Sequence, residues 1–206
     1  MQLFLASSLV HSFDAIKDRL PAGGRVLFIP NAADPFGGHQ MEWVADDRDI
    51  FIKNGYDIDE CDIRNTSLEI FAGRLKTSAI VHVCGGSTLY VHDLLSKQGL
   101  SEVLKKSVLS GEIVYTGTSA GSMITAPSLA LCAYDPDEME FMYEGMNFSG
   151  LNLAPVLIAP HANNEDFKPS NHAMIEHLPE GETPVMMLYD TQVLVVTDGT
   201  MEILSV

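Results

Sequence analysis

Short apolar runs rich in Val and Ile alternate along this chain with longer stretches of helical periodicity, and that alternation restricts the fold more than any other feature. It is the pattern of βα units that build a parallel sheet covered by helices. "QLFLAS" reads as a first strand, followed by a helix near His11 to Leu20. Residues Pro21 to Gly24 form a turn before a second strand, "RVLFIP". A polar loop opens at Gly37 and Gly38, and a helix from His39 to Asn54 buries Met41, Val44, Ile50 and Phe51 before stopping at Gly55. "YDIDECDI" is a weaker strand, and a short helix over Ser67 to Leu75 has Ser67 as its N-cap. "AIVHVCGG" and "EIVYTGT" are strands, with "STLYVHDLLSK" and "SEVLKKSVLS" between them as helices, each opened by a serine.

The last third is less regular. "NLAPVLIAPH" reads as a strand ending at His161 and "SNHAMIEHL" as a helix. Residues 184–206 hold three short strands with turns at Asp190 and at Asp198, where the Asp-Gly pair between apolar runs signals a hairpin. The expectation is an α/β chain with a mostly parallel sheet, helices on its flanks and antiparallel strands at the C-terminal end. With no repeat, linker or low-complexity stretch, residues 1–206 are expected to form one domain.

Composition removes several classes of function. Acidic residues outnumber basic ones 28 to 12, for a formal charge of −16, the wrong sign for tracking a phosphate backbone. Nucleic acid is therefore not an expected partner. No run approaches the ~18 apolar residues of a membrane span, and the apolar start carries no basic leader. Cys61, Cys84 and Cys132 cannot pair completely, which fits a reducing, cytoplasmic setting without a disulfide framework. The histidines lack the H-E-x-x-H spacing, and no metal or cofactor is expected.

The chemistry points to "YTGTSAGSM". Gly117 to Gly121 form a G-x-S-x-G string between an apolar run and a possible first helical turn. A strand turning sharply into a helix crowds its neighbours, so Gly117, Ala120 and Gly121 have to be small. Such a turn places Ser119 at a helix N-terminus, where free N–H groups favour a developing oxyanion. The same small residues also suit a tight junction with no catalytic role. A serine needs a base, and the base an orienting group. His161 directly follows an apolar run, at the strand edge where α/β sheets assemble sites, whereas His82 reads as a core residue and His11, His92, His172 and His177 as helix-surface positions. Asp190 closes "PVMMLY" in the same manner, and Asp135 follows the strand-like "SLALCAY". Gly85 and Gly86 end a strand and allow close backbone approach to a ligand.

Taken in order, "CGGSTLYVHDLL", "YTGTSAGSMI" and "APHANNED" resemble the peptidase E family of serine peptidases, family S51, which includes aspartyl dipeptidase and cyanophycinase. The resemblance covers essentially the whole chain. It implies a flavodoxin-like fold similar to class I glutamine amidotransferases, with Ser119 as nucleophile, His161 as base and the N–H groups of Gly86 and Ala120 as the oxyanion hole. Asp190 matches the acid entering the C-terminal hairpin, and Asp135 matches a second acidic position that affects activity. The implied substrate is a short peptide, hydrolysed by a monomer or homodimer. Esters or unusual amides on the same triad, or binding without turnover, are the alternatives. The chain departs from the family in two places. Gly85-Gly86-Ser87-Thr88 stands where Gly-Gly-Asn-Thr is usual, and the arginine that aspartyl dipeptidases place after the histidine is missing. Lys168 is the nearby cation that remains for that substrate-binding role.

Overall fold

The computed structural model describes residues 1–178 and 183–206. Its first strand, β1 (Gln2–Ala6), leads into a single helical turn, α1 (Leu9–Ser12), and then two 3-10 turns. The helix expected to Leu20 is therefore broken. Strand β2 (Gly24–Ile29) is followed by 3-10 turns through Gln40 and then α2 (Glu42–Lys53). The helix expected from His39 thus begins three residues later, after Met41. Strand β3 (Tyr56–Glu60), α3 (Leu68–Lys76), β4 (Ile80–Val83), α4 (Thr88–Lys97), α5 (Leu100–Leu109) and β5 (Val114–Thr118) complete the alternating part.

Two of the expected serine caps are present: Ser67 accepts from the Ile70 N–H, and Ser87 from the Tyr90 N–H. The third is not, because the residue before α5 is Gly99 in a left-handed conformation, and Ser101 lies inside the helix. After the turn α6 (Ala120–Met123), "SLALCAY" forms a 3-10 segment over Ala130–Tyr134 rather than a strand. Then come β6 (Leu157–Ala159), α7 (Lys168–Glu176), β7 (Val185–Met187), β8 (Gln192–Thr197) and β9 (Thr200–Ser205).

Seven strands form one sheet in the order β3-β2-β4-β5-β1-β8-β9. The first five are parallel, and β8 and β9 add to β1 as an antiparallel hairpin. Strand β7 does not join this hairpin; it pairs in parallel with β6 in a separate two-stranded sheet. Alternation along each strand divides the core into two layers. Leu3, Leu5, Leu27, Ile29, Val81, Val83 and Tyr115 face α3 to α6, while Phe4, Val26, Phe28 and Ile80 face α1 and α2.

The order of strand connections reverses between β2, which leads outward to β3, and β4, which leads to β5, and in such sheets ligands bind beyond the carboxyl ends of the strands at the reversal. The loops after β2 and β4 meet there: a Cβ on Gly86 would lie 2.1 Å from the Ala32 carbonyl oxygen, so only glycine fits. Among the described residues no helix is long and apolar enough to cross a membrane.

Candidate active site

Ser119 occupies the junction between β5 and α6 with φ 50° and ψ −111°, a conformation that costs a non-glycine residue roughly 1–3 kcal/mol. Its surroundings leave the chain little alternative. A Cβ on Gly117 would lie 2.5 Å from the Gly121 oxygen, and one on Gly121 would lie 2.0 Å from the Val83 oxygen. The Ser119 N–H donates to Ala6 O at 2.9 Å, and the Ser122 hydroxyl reaches both Ala6 O and Gly117 O at 2.8 Å. Tyr115, fully buried on β5, donates its hydroxyl to Gly121 O at 2.6 Å. The small residues thus have a steric reason to be there, and together they hold the serine side chain half-exposed at the head of a helical turn. Ala120 opens that turn, so its N–H has no intrahelical partner. Gly85 approaches from β4, where an added Cβ would come within 3.3 Å of Ser119 Cβ.

The histidine and the aspartate arrive from the small sheet. In its parallel register Ala159 lies beside Met187, so His161 and Asp190, two and three residues further on, emerge at the same end. His161 Nδ1 donates to Asp190 Oδ1 at 2.6 Å. Five contacts fix this pair and its supports. The His161 N–H donates to Ser7 Oγ at 3.2 Å, and that hydroxyl donates to Leu188 O at 3.0 Å. The Asp190 N–H donates to Asn163 Oδ1 at 2.9 Å, and Asn171 Nδ2 holds Pro160 O at 2.9 Å. The Phe167 ring stacks on the imidazole with centroids 4.2 Å apart. His161 itself has φ 57°, a second strained position beside Ser119.

Ser7, Asn163, Phe167 and Asn171 are absent from the sequence-based set. Asn163 alone had a signal, as one of two consecutive asparagines just after a strand end, and such residues read equally as turn formers.

Ser119 and His161 line one cleft of about 610 Å³ at the carboxyl ends of β1, β4 and β5, together with Gly85, Gly86 and Asp135. No hydrogen bond joins Ser119 Oγ to the imidazole, although both side chains line the same cleft; in substrate-free enzymes such bonds are often absent and form only with substrate bound. Asp135 is buried and engages the Asp137 N–H at 3.0 Å, with no hydrogen bond to His161. Burial, the largest influence, pushes the Asp135 carboxyl above the usual range. Glu138 behaves in the same way, although it accepts from the Ser87 hydroxyl and from the Thr88 and Leu89 N–H groups at the start of α4. That contact gives Ser87 a structural role.

Lys168 lies outside the cleft lining, exposed and paired with Glu165 at 2.6 Å. His92, read from the sequence as a helix-surface residue, is buried and bonded to Ser149 O at 2.8 Å. Asp47, His82 and Cys84 bring three potential metal-ligand atoms within 4.8 Å of one another. Burial raises the Cys84 thiol strongly, and both nitrogens of His82 are already hydrogen-bonded.

Comparison with known proteins gives the family. An uncharacterized peptidase of Pasteurella multocida is 30% identical over 180 residues, covering 85% of this chain and 84% of the relative. A peptidase E of Streptomyces coelicolor is 31% identical over 187 residues, covering 87% of this chain and 71% of its own length. The crystal structure of a candidate peptidase E from Listeria monocytogenes superimposes with a TM-score of 0.89 at 22% identity, over 100% of this chain and 98% of that one. At that identity the match speaks for the flavodoxin-like α/β fold alone. The sequence model of peptidase family S51 matches residues 3–204. With a match of that extent, the chain belongs to peptidase family S51 and is a serine-type peptidase of the peptidase E kind.

Proposed function

We propose that this protein hydrolyses short peptides through an acyl-enzyme formed on Ser119. The observation that carries the reading is the 2.6 Å hydrogen bond from His161 Nδ1 to Asp190, in the same cleft as a serine held at a strained strand–helix junction. Asp190 fixes the proton on Nδ1, so Nε2 is the basic nitrogen presented to the cleft. His161 takes the Ser119 proton as the hydroxyl attacks the peptide carbonyl. The N–H groups of Gly86 and Ala120 receive the oxyanion. The imidazolium then protonates the leaving amine, and water activated by the same histidine releases the acyl group.

Asp190 is favoured over Asp135 as the orienting acid because only Asp190 is hydrogen-bonded to the imidazole. At about 610 Å³ the cleft has the size of small-ligand sites, which suits a di- or tripeptide. The test is incubation of the wild type and Ser119→Ala with di- and tripeptides varied at the N-terminal residue, followed by mass spectrometry. Ser119-dependent cleavage is expected. Equal cleavage by the two proteins would overturn the mechanism.

A further inference from the structure

Two walls of the cleft differ in what they offer a substrate. On α2, Trp43, Asp46 and Asp47 are spaced i, i+3, i+4 and so share one helical face, and all three line the cleft. Asp46 and Trp43 are exposed, while Asp47 is 3% exposed and accepts from His82 Nε2 through Oδ2 at 3.1 Å. Thr118, 7% exposed, also lines the cleft, and its enclosed Oγ1 has no hydrogen-bond partner among the described residues. Alternation along β5 puts Thr118 on the same side of the sheet as Thr116, which bonds the His82 ring that bonds Asp47. An orphaned hydroxyl and a buried carboxylate therefore both belong to the cleft lining, on the same side of the sheet. Buried polar groups are ordinarily satisfied, and this one belongs to a residue that lines the cleft, where a ligand donor can supply the missing bond.

Charge agrees with that direction. Every Asp, Glu, Lys or Arg among the described lining residues is an acid: Asp46, Asp47, Asp135, Asp137, Glu138 and Glu140. Arg48, next to Asp47 in sequence, turns away to Glu60 at 3.0 Å and lies over the Phe28 ring. Such a cleft repels an aspartyl side chain and attracts an ammonium or guanidinium, which also gains from the face of an indole ring.

We propose that the α2 wall is a subsite for a cationic side chain of the peptide substrate, with Asp46 and Asp47 supplying the counter-charge, Thr118 Oγ1 accepting one N–H, and Trp43 covering the alkyl stem. This rests on the peptidase reading for the rest of the substrate. It assigns a specificity opposite to that expected from an arginine beside the catalytic histidine.

Trp43 is the only tryptophan in the chain, so its fluorescence reports occupancy of this wall directly. Ser119→Ala protein, which cannot turn substrate over, is titrated with Lys-Ala, Arg-Ala, Ala-Lys, Ala-Arg, Ala-Ala and Asp-Ala. A cationic dipeptide is expected to shift Trp43 emission and to bind about tenfold more tightly than Ala-Ala or Asp-Ala. Asp46→Asn, at an exposed position where folding is not at stake, lowers that preference about threefold or more, and Thr118→Val lowers it further. The subsite is overturned if Asp-Ala binds as tightly as the cationic peptides, if none of them changes Trp43 emission, or if the preference survives Asp46→Asn combined with Thr118→Val. Cleavage by the wild type is scored separately. Cationic binding without cleavage leaves the subsite standing and removes the peptidase reading, while Ser119-dependent cleavage with no cationic preference does the reverse.

Discussion

Among the described residues two histidine–carboxylate pairs occur, and they are built for opposite purposes. His82 Nε2 lies 3.1 Å from Asp47, with the two side chains 0% and 4% exposed, and its ring is packed against Phe28 and Phe51. Its other nitrogen is used by Thr116 at 2.9 Å. His161 Nδ1 lies 2.6 Å from Asp190, with exposures of 14% and 19%, and its Nε2 makes no hydrogen bond among the described residues. His161 also bends its backbone to φ 57°, whereas His82 lies within a regular strand. A carboxylate against an imidazole is thus not a mark of catalysis in itself. What separates the pairs is a second nitrogen left open to a cleft that also holds a serine.

The contrast breaks first at His161. His161→Ala is expected to lower turnover on the order of 10⁵-fold while leaving the denaturation midpoint nearly unchanged. Asp190→Asn keeps the side-chain volume but no longer selects the Nδ1 proton, and should cost about 10⁴-fold in turnover. Asp135→Asn, with no bond to the imidazole, should cost about tenfold at most. Steady-state kinetics on all three decide between the acids, since a larger loss at Asp135 than at Asp190 would reverse their roles. His82→Ala moves the effect to stability. It strands a buried carboxylate and opens a cavity between two phenylalanine rings, at a cost of about 3 kcal/mol in urea denaturation.

The sequence distinguished these histidines by position. His82 lies within an apolar run and His161 at the end of one, and strand periodicity carries that difference directly. The parallel strands and the Ser119 junction were legible for related reasons, because close packing at a strand end requires small residues and leaves a pattern, whereas Asp190 was one of two acids closing apolar runs and was set apart from Asp135 only by the family resemblance. The broken helix after β1 was not legible, since 3-10 turns share nearly the same apolar spacing as an α-helix. His92 was misread because its partner, Ser149 O, is a backbone atom 57 residues away and leaves no trace in side-chain identity. Strand β7 was expected beside the terminal hairpin, yet its partner is β6, a pairing set by tertiary register alone. The tethers on His161 and Asp190 escaped notice similarly, as Ser7 and Asn163 look like ordinary turn residues.

Ser7 sharpens the comparison on a smaller scale. It is fully buried, and its hydroxyl links the strained His161 backbone to Leu188. His82 needs no equivalent, because regular β4 pairing fixes its backbone. Ser7→Ala is expected to reduce kcat about tenfold, with KM little changed and about 1 kcal/mol of stability lost. A change in KM alone would instead make Ser7 a substrate contact.

The smallest effect concerns a carboxylate without any histidine. Glu138 spans the cleft wall and the start of α4, where three donors favour its charge, yet burial is the larger influence and raises its folded pKa above the ordinary 4.5. The folded protein therefore holds this proton more tightly than the unfolded chain does. Its contribution to stability is fully present below pH 4.5 and is lost as pH rises through the window up to the folded value. His92 slopes the other way: burial lowers its pKa from 6.5, so its contribution falls as pH drops below that value. Glu138→Gln removes the first slope and leaves the second. Denaturation midpoints of wild type and variant between pH 4.5 and 7 should thus diverge, the variant gaining on the wild type as pH rises. A constant difference across that range would mean that the donors at the start of α4 already outweigh burial, and that Glu138 is ionised in the fold at no net cost.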